Sequence, residues 1–447
     1  MKTATKGKER KFFDGLFIKG SFDIGFFAIV MILLSVGIVM LFSASYVNAN
    51  YRYGNPYHYF VSQTKYALIG IVVMYLFSRV NVKFIKRFTY VISAFSLLLL
   101  ILVLIVPYYP PGKEEFRRWL GTSAFSFQPS EIAKLAIIIF CARILSLKEK
   151  PMIKNKDMSL VICALAGAAV CLLIAFEKHL SCIILILGIV AVMMMLGGLD
   201  KKLIFLGITG VVLTVVLMFV FKEQLVESLP VNRYTERVIY WLDKDSAPLG
   251  ERWQTNQSLY AIGSGGLFGL GLGNSKQKHL YMPEPQNDFI FAIICEELGF
   301  IGALIIILLF AVLIWRGFVI ALRTSNKFSA FLVMGITSHI GLQTILNILV
   351  VTDAVPNTGI SLPFNSAASV IPATRPLAAL STYPSTPVIC PAKKHCLRLI
   401  ISKEASKKPG LFRNVFRCIT PYRAYSAFSR PGISPNTRFC SGNLRRV

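Results

Sequence analysis

Charge is scarce in this chain, and acidic charge scarcer still. Only 16% of the 447 residues are Asp, Glu, Lys or Arg, and 22 acids face 48 basic residues. A soluble domain carries about a quarter of its residues as charge, because its surface must be wetted. A water-soluble globular enzyme is therefore excluded as a first description. The nine cysteines include no CxxC pair and no zinc-finger spacing, which argues against a structural zinc site or a thioredoxin-type redox motif. The glycine-rich stretch lacks the lysine pattern of a P-loop. No cleavable signal peptide is evident, since the first apolar run is long and reads as a true span.

Apolar sequence is plentiful. Hydrophobic residues make up 55% of the chain and mean hydropathy is +0.61. Runs without charge, such as Leu97 to Val106 and Ile183 to Met195, belong to stretches near the roughly 20 residues that cross a bilayer. The pattern predicts an all-α polytopic membrane protein with spans near 23–44, 64–79, 88–108, 130–147, 159–177, 179–198, 202–221, 289–315 and 328–352. Helices are required because lipid offers a free backbone amide no partner.

The formal charge of +26 invites a nucleic-acid reading, but its distribution rejects it. After Phe364 lie 14 basic residues and one acid. Much of the remaining surplus falls in alternate loops: Lys2 to Lys19, Lys83 to Arg87, Lys148 to Lys156, Lys201 and Lys202, and Arg316 to Lys327. By the positive-inside rule these loops, and the N-terminal tail 1–22, are cytoplasmic. Segments 45–63, 109–129, 222–288 and 353 onward then face out. The segment 222–288 holds Trp241, Trp253, Tyr234, Tyr240 and Tyr260 and is expected to be ordered and functional. The membrane domain is expected over 23–364. Residues 365–447 hold nine of the 21 prolines and no apolar span. The abrupt change suggests disorder or a reading-frame shift, which the other frames of the coding sequence would test.

Four segments could carry chemistry. In Tyr281-Met282-Pro283-Glu284-Pro285-Gln286-Asn287-Asp288-Phe289-Ile290-Phe291-Ala292, Asp288 stands where the outer loop enters a span. A carboxylate there suits a general base or a helix N-cap. Glu296 and Glu297 follow inside the span, where acids are either functional or paired with a base on another element. In Arg117-Arg118-Trp119-Leu120-Gly121 and Phe127-Gln128-Pro129-Ser130-Glu131-Ile132-Ala133-Lys134, the arginines could hold pyrophosphate or lipid headgroups. Ser130 could cap the next helix, and Glu131 and Lys134 can pair at three-residue spacing. Gly263 to Asn274 could cradle phosphate or simply let backbones approach closely; Lys276, Lys278, Arg233, Arg237 and Arg252 add positive charge in that loop. Pro356-Asn357-Thr358-Gly359-Ile360-Ser361-Leu362-Pro363-Phe364 should bend and shape a cavity, while Gln343 and Asn347 should hydrogen-bond between helices.

Together these segments resemble the SEDS family, the FtsW/RodA group, over about residues 20–364. The carrying strings are Gln257-Ser258-Leu259 through Gly266, Pro283-Glu284, Asp288 through Gly299, and Pro356 to Phe364. The resemblance implies ten spans and a peptidoglycan glycosyltransferase that polymerises lipid II, closer to the division or sporulation branch than to the elongation branch. It implies a class B penicillin-binding protein as partner, with other cell-wall synthesis or divisome proteins. It places the family's essential aspartate on Asp288. On that footing Arg117, Arg118, Trp119, Glu131, Lys134, Arg252, Gln257, Lys278 and Glu284 become candidates for substrate. Glu297, Gln343, Asn347, Pro356, Thr358, Gly359 and Pro363 become candidates for shaping the cavity. There is no dedicated metal site, although Mg2+ or Mn2+ could share the pyrophosphate charge. Two departures stand out: Glu177-Lys178-His179-Leu180-Ser181 in place of a Pro-Asp-like pair, and Asn365-Ser366-Ala367-Ala368 where a glycine-rich turn and a tenth span are expected. A lipid II flippase, a non-catalytic scaffold for the transpeptidase and a defective copy remain alternatives.

Overall fold

The computed structural model describes residues 23–106, 117–121, 126–147, 156–224, 233–243 and 252–363. The N-terminal tail and the segment after Pro363, with the questions of a tenth span and a frame shift, lie outside the described residues.

Each apolar run becomes a helix. In chain order these are α1 (Ile24–Tyr53), α2 (His58–Arg79), the short α3 (Val82–Arg87), α4 (Thr89–Ile105), α5 (Pro129–Ser146), α6 (Lys156–Phe176), α7 (Leu180–Leu196), α8 (Lys201–Val220), α9 (Arg233–Leu242), α10 (Trp253–Gly265), α11 (Ile290–Arg323) and α12 (Lys327–Val351). Six of them are long and apolar enough to cross a membrane, and α4 and α7 are shorter apolar helices. The ninth long helix, α5, carries the Glu131–Lys134 pair within its first turns. All nine expected spans thus fall on helices, and the chain is a multi-pass membrane protein. A two-stranded hairpin, β1 (Leu120–Gly121) and β2 (Ser126–Phe127), leads into α5, with Leu120 opposite Phe127.

The bundle centres on α12, which packs against α5, α7 and α11; α11 in turn packs against α1 and α10. Ile138, Ile189, Ile293 and Val333 are fully buried in this core. By contrast α8 has no buried residue, and its apolar side chains suit a surface in contact with lipid. At the basic face of the bundle, Asp23 caps α1 by accepting from Phe26 N at 2.8 Å and pairs with the Arg316 guanidinium, Nε to Oδ1 at 3.0 Å.

The feature that shapes the opposite face is a break in α11. Gly299 has φ 68° and ψ −171°, which frees backbone groups at membrane depth. The glycine-rich segment folds back to meet them. Leu270 N and Gly271 N donate to the carbonyls of Glu296 and Glu297 at 2.9 and 3.0 Å, and Phe300 N and Ile301 N donate to those of Gly266 and Leu267 at 2.9 and 3.2 Å. Irregular backbone survives in a membrane only with such partners. A Cβ on Gly265 would collide with the backbone of Cys295 and Glu296, and one on Gly269 with that of Glu297 and Gly299, so close approach accounts for these two glycines.

Candidate functional site

Asp288 lies at the mouth of α11. The cap position of the helix is taken by Phe289, which makes no side-chain cap bond, so Asp288 stands one residue outside the capping position considered for it. The Asp288 carbonyl accepts from Asn347 Nδ2 at 2.8 Å, and the same amide donates to Ile360 O at 2.7 Å. One side chain on α12 therefore fixes both the entry of α11 and the bent segment above it. That segment, 353–363, passes over the carboxylate: a Cβ at Gly359, where φ is 69°, would sit 3.3 Å from Asp288 Oδ2. Only glycine brings the chain this close without strain.

The strap is fastened at several points. Gln343 Nε2 donates to Ser361 O at 2.9 Å, so Gln343 and Asn347 reach this segment where helix-to-helix bonds were expected. Arg237 Nη1 donates to Asn357 O at 3.1 Å and Trp241 Nε1 to Asp353 O at 3.1 Å. Arg252 forms an ion pair with Asp353, Nη2 to Oδ2 at 2.7 Å, and also donates to Tyr240 O at 2.6 Å. Pro356 and Pro363 lie within the described strap, at its start and its end. Thr358 is buried, and neither its hydroxyl nor Asn347 Oδ1 has a hydrogen-bond partner among the described residues. Gln257 is buried on α10 beside Ser258, whose hydroxyl donates to Val351 O at 2.8 Å. Glu284 stands at the rim with φ 47°, paired with Arg52 at 3.2 Å.

The candidate cations separate by what they already hold. Lys278 is buried and pairs with Glu297 at 3.0 Å. Lys134 is buried and donates to Glu131 Oε1 at 2.7 Å, its one acceptor among the described residues. Arg118 reaches the α6–α7 turn and donates to the carbonyls of Glu177 and Lys178. Arg117 is exposed and, with Leu104, Phe176, Glu177 and Lys178, lines a cavity of about 430 Å³. Trp119 is half-buried at the foot of the hairpin.

The α6–α7 turn is the part that sequence reasoning noticed only as a departure. His179 Nδ1 lies 3.1 Å from Gln128 Nε2 and 3.5 Å from Ser130 Oγ. Ser130 thus faces the turn and does not cap α5; Gln128 takes the cap position and Pro129 opens the helix, as its fixed φ and missing N–H favour. Burial holds the His179 imidazole well below its ordinary pKa, and Arg118, Lys134 and Arg237 push the same way. Burial lifts the Glu177 carboxyl to about 8, against the pull of Arg118. Asp353 was also missed; in the sequence a lone acid beside an apolar run looks like solvated loop, whereas in the fold it is held at φ 57° by its ion pair with Arg252. No three His, Cys, Asp or Glu side chains gather as a metal site among the described residues.

Comparison with known proteins gives this geometry a family. The model of the FtsW/RodA/SpoVE family, described as cell cycle protein, matches residues 24–371. The chain belongs to this family. It is 39% identical over 351 residues to stage V sporulation protein E of Bacillus subtilis (strain 168), covering 78% of this chain and 92% of that one. It is 33% identical over 352 residues to a probable peptidoglycan glycosyltransferase FtsW of Coxiella burnetii, again covering 78% and 92%. Among solved structures, a chain from a study of how a peptidoglycan synthase complex coordinates polymerization and crosslinking matches with TM-score 0.63 at 25% identity, over 81% of this chain and 97% of that one. The rod shape determining protein RodA of Thermus thermophilus shares the fold, with TM-score 0.56 at 23% identity over 81% and 96%.

Proposed function

We propose that this chain is a peptidoglycan glycosyltransferase that polymerises lipid II at the outer face of the cytoplasmic membrane, in division or sporulation wall synthesis. The observation that carries the proposal is the Asp288 carboxylate, set at the mouth of α11 beneath Gly359 in a chain whose relatives include probable peptidoglycan glycosyltransferases. In the reaction, Asp288 takes the proton of the acceptor sugar hydroxyl as its oxygen bonds to the anomeric carbon of the donor. The bond from that carbon to the pyrophosphate breaks, and undecaprenyl pyrophosphate leaves. A positioned base of this kind contributes about 10²- to 10⁴-fold.

The leaving group needs positive charge. Lys134 has two ammonium donors beyond the one given to Glu131, and Arg117, exposed and lining a cavity, gives one long bond of 3.4 Å to Leu104 O; these two are assigned to the pyrophosphate ahead of Arg252, which is buried in its ion pair with Asp353, and Arg118, which is bonded to the α6–α7 turn. A divalent cation at Asp288 would draw its remaining ligands from substrate oxygens and water, as hard cations with few protein ligands do. The proposed partner is a class B penicillin-binding transpeptidase; the likeness to a chain from a peptidoglycan synthase complex supports it.

The test is polymerisation from purified lipid II by the chain reconstituted with that transpeptidase. The expected result is long glycans from the chain and a loss of at least about 10²-fold in Asp288→Asn. Transbilayer movement of lipid II without polymerisation would replace the enzyme with a flippase. Full activity in Asp288→Asn would overturn the assigned base, and partner binding with no activity in either chain would leave a scaffold.

A further inference from the structure

Lys278 has the charge expected of a pyrophosphate ligand, and its surroundings assign it elsewhere. An ammonium has three donors. Those of Lys278 go to Gly273 O at 2.5 Å, Glu297 Oε1 at 3.0 Å and Ser43 Oγ at 3.1 Å. The side chain is 5% exposed and that of Glu297 is fully buried. Every donor is spent inside the protein, and no N–H remains to turn toward a substrate phosphate.

What the pair encloses is the segment 278–297, on which Asp288 lies midway. Glu297 belongs to the first turns of α11, before the break at Gly299. Its carboxylate also accepts from Ser43 Oγ on α1 at 2.6 and 2.8 Å and from Ser275 N at 3.3 Å. Next to it, Glu296 accepts from Ser275 Oγ at 2.5 Å and Lys276 N at 2.8 Å. Two further contacts tie the same segment to α1: Asn48 Nδ2 to Gln286 Oε1 at 3.4 Å and Arg52 to Glu284 at 3.2 Å. The outer end of α1 is thus bonded along its length to the segment that presents Asp288.

We propose that Lys278 and Glu297, with Ser43, form a buried staple that positions Asp288, so that Lys278 is a positioning residue and not a phosphate ligand. The inference rests on the catalytic assignment of Asp288 made above. Removing one member of a buried ion pair strands the other charge, whereas removing both charges is tolerated far better. A phosphate ligand behaves differently: its charge is needed whatever its neighbour carries.

The experiment compares Lys278→Met, Glu297→Gln and the double variant in the reconstituted polymerisation assay, with Asp288→Asn alongside. Glutamine at 297 keeps the acceptor that Ser43 and Ser275 use. Each single variant is expected to lower kcat by about 10- to 100-fold with KM for lipid II within about twofold, the signature of a misplaced reacting group. The double variant is expected to regain most of the lost kcat. Hydrogen exchange across 275–297 should rise in the singles and fall back in the double, which reads the staple even where a single variant gives little active protein. A double variant no better than Lys278→Met, or a KM for lipid II raised tenfold or more in both, would overturn the staple while the inactivity of Asp288→Asn upheld the base. Full activity in Asp288→Asn would remove the role the staple is proposed to serve.

Discussion

At the residue scale the most informative titratable group is Glu177. It sits in the turn between α6 and α7 with its carboxylate oxygens unbonded among the described residues, next to Arg118 from the hairpin and with Lys178 and the neutral His179 in the same turn. Burial raises its pKa from the ordinary 4.5 to about 8. A raised carboxyl pKa means that the folded chain prefers the protonated form. Its contribution is therefore favourable at low pH and is lost as pH rises from about 4.5 through 8, with a slope approaching about 1.4 kcal/mol per pH unit. Melting temperature in detergent should fall between pH 5 and pH 8.5, and Glu177→Gln should flatten the fall by a few kcal/mol on that slope. Parallel curves for the two proteins would remove Glu177 as the cause. Single residues were also where sequence was least legible. Asp288 could be found because a carboxylate at a span boundary is unusual. The partners of Lys278 and Arg252 could not, because Glu297 and Asp353 lie 19 and 101 positions away and only the folded register brings them into contact.

At the element scale, hydrophobic runs located the nine long helices among the described residues, since a bilayer demands length and apolarity that composition displays directly. The same signal concealed the break in α11: hydropathy reads Ile290–Arg323 as one uninterrupted span, and although Glu296 and Glu297 stand just before Gly299, acids alone do not announce a break. The glycines of the preceding loop were visible, but their partner was not. The contact predicts its own mutational cost. Alanine at Gly269 or Gly299 must hold a positive φ, costing about 1–3 kcal/mol, and must also displace backbone across the contact. Gly263→Ala, which meets nothing within 4 Å, is the matched control and should be neutral or slightly stabilising, as Ala is the better helix former. Thermal unfolding in detergent would show the difference. Equal stability of all three variants would mean that the loop does not close the break.

At the scale of the whole molecule, charge predicts which face meets the cytoplasm. One face of the bundle presents Lys83, Arg87, Lys201, Lys202 and Arg323 around short connections, while the other presents the hairpin, the strap and the approach to Asp288. On the site face the positive groups are largely matched within the protein, as Arg52 is by Glu284, Arg252 by Asp353 and Lys278 by Glu297. The positive-inside rule counts Lys and Arg in short connecting loops, and by that count it assigns the first face to the cytoplasm. Chemistry requires the same orientation, because a wall polymer is assembled outside the membrane. In a background with the four tail cysteines (Cys390, Cys396, Cys418 and Cys440) replaced by serine, the remaining cysteines are all buried in the bundle. Tyr57→Cys, on the exposed α1–α2 turn, should then react with a membrane-impermeant maleimide in intact cells, and Lys202→Cys only after permeabilisation. The reverse pattern would place Asp288 in the cytoplasm, where no extracellular glycan could be extended, and the glycosyltransferase assignment would fall with the topology.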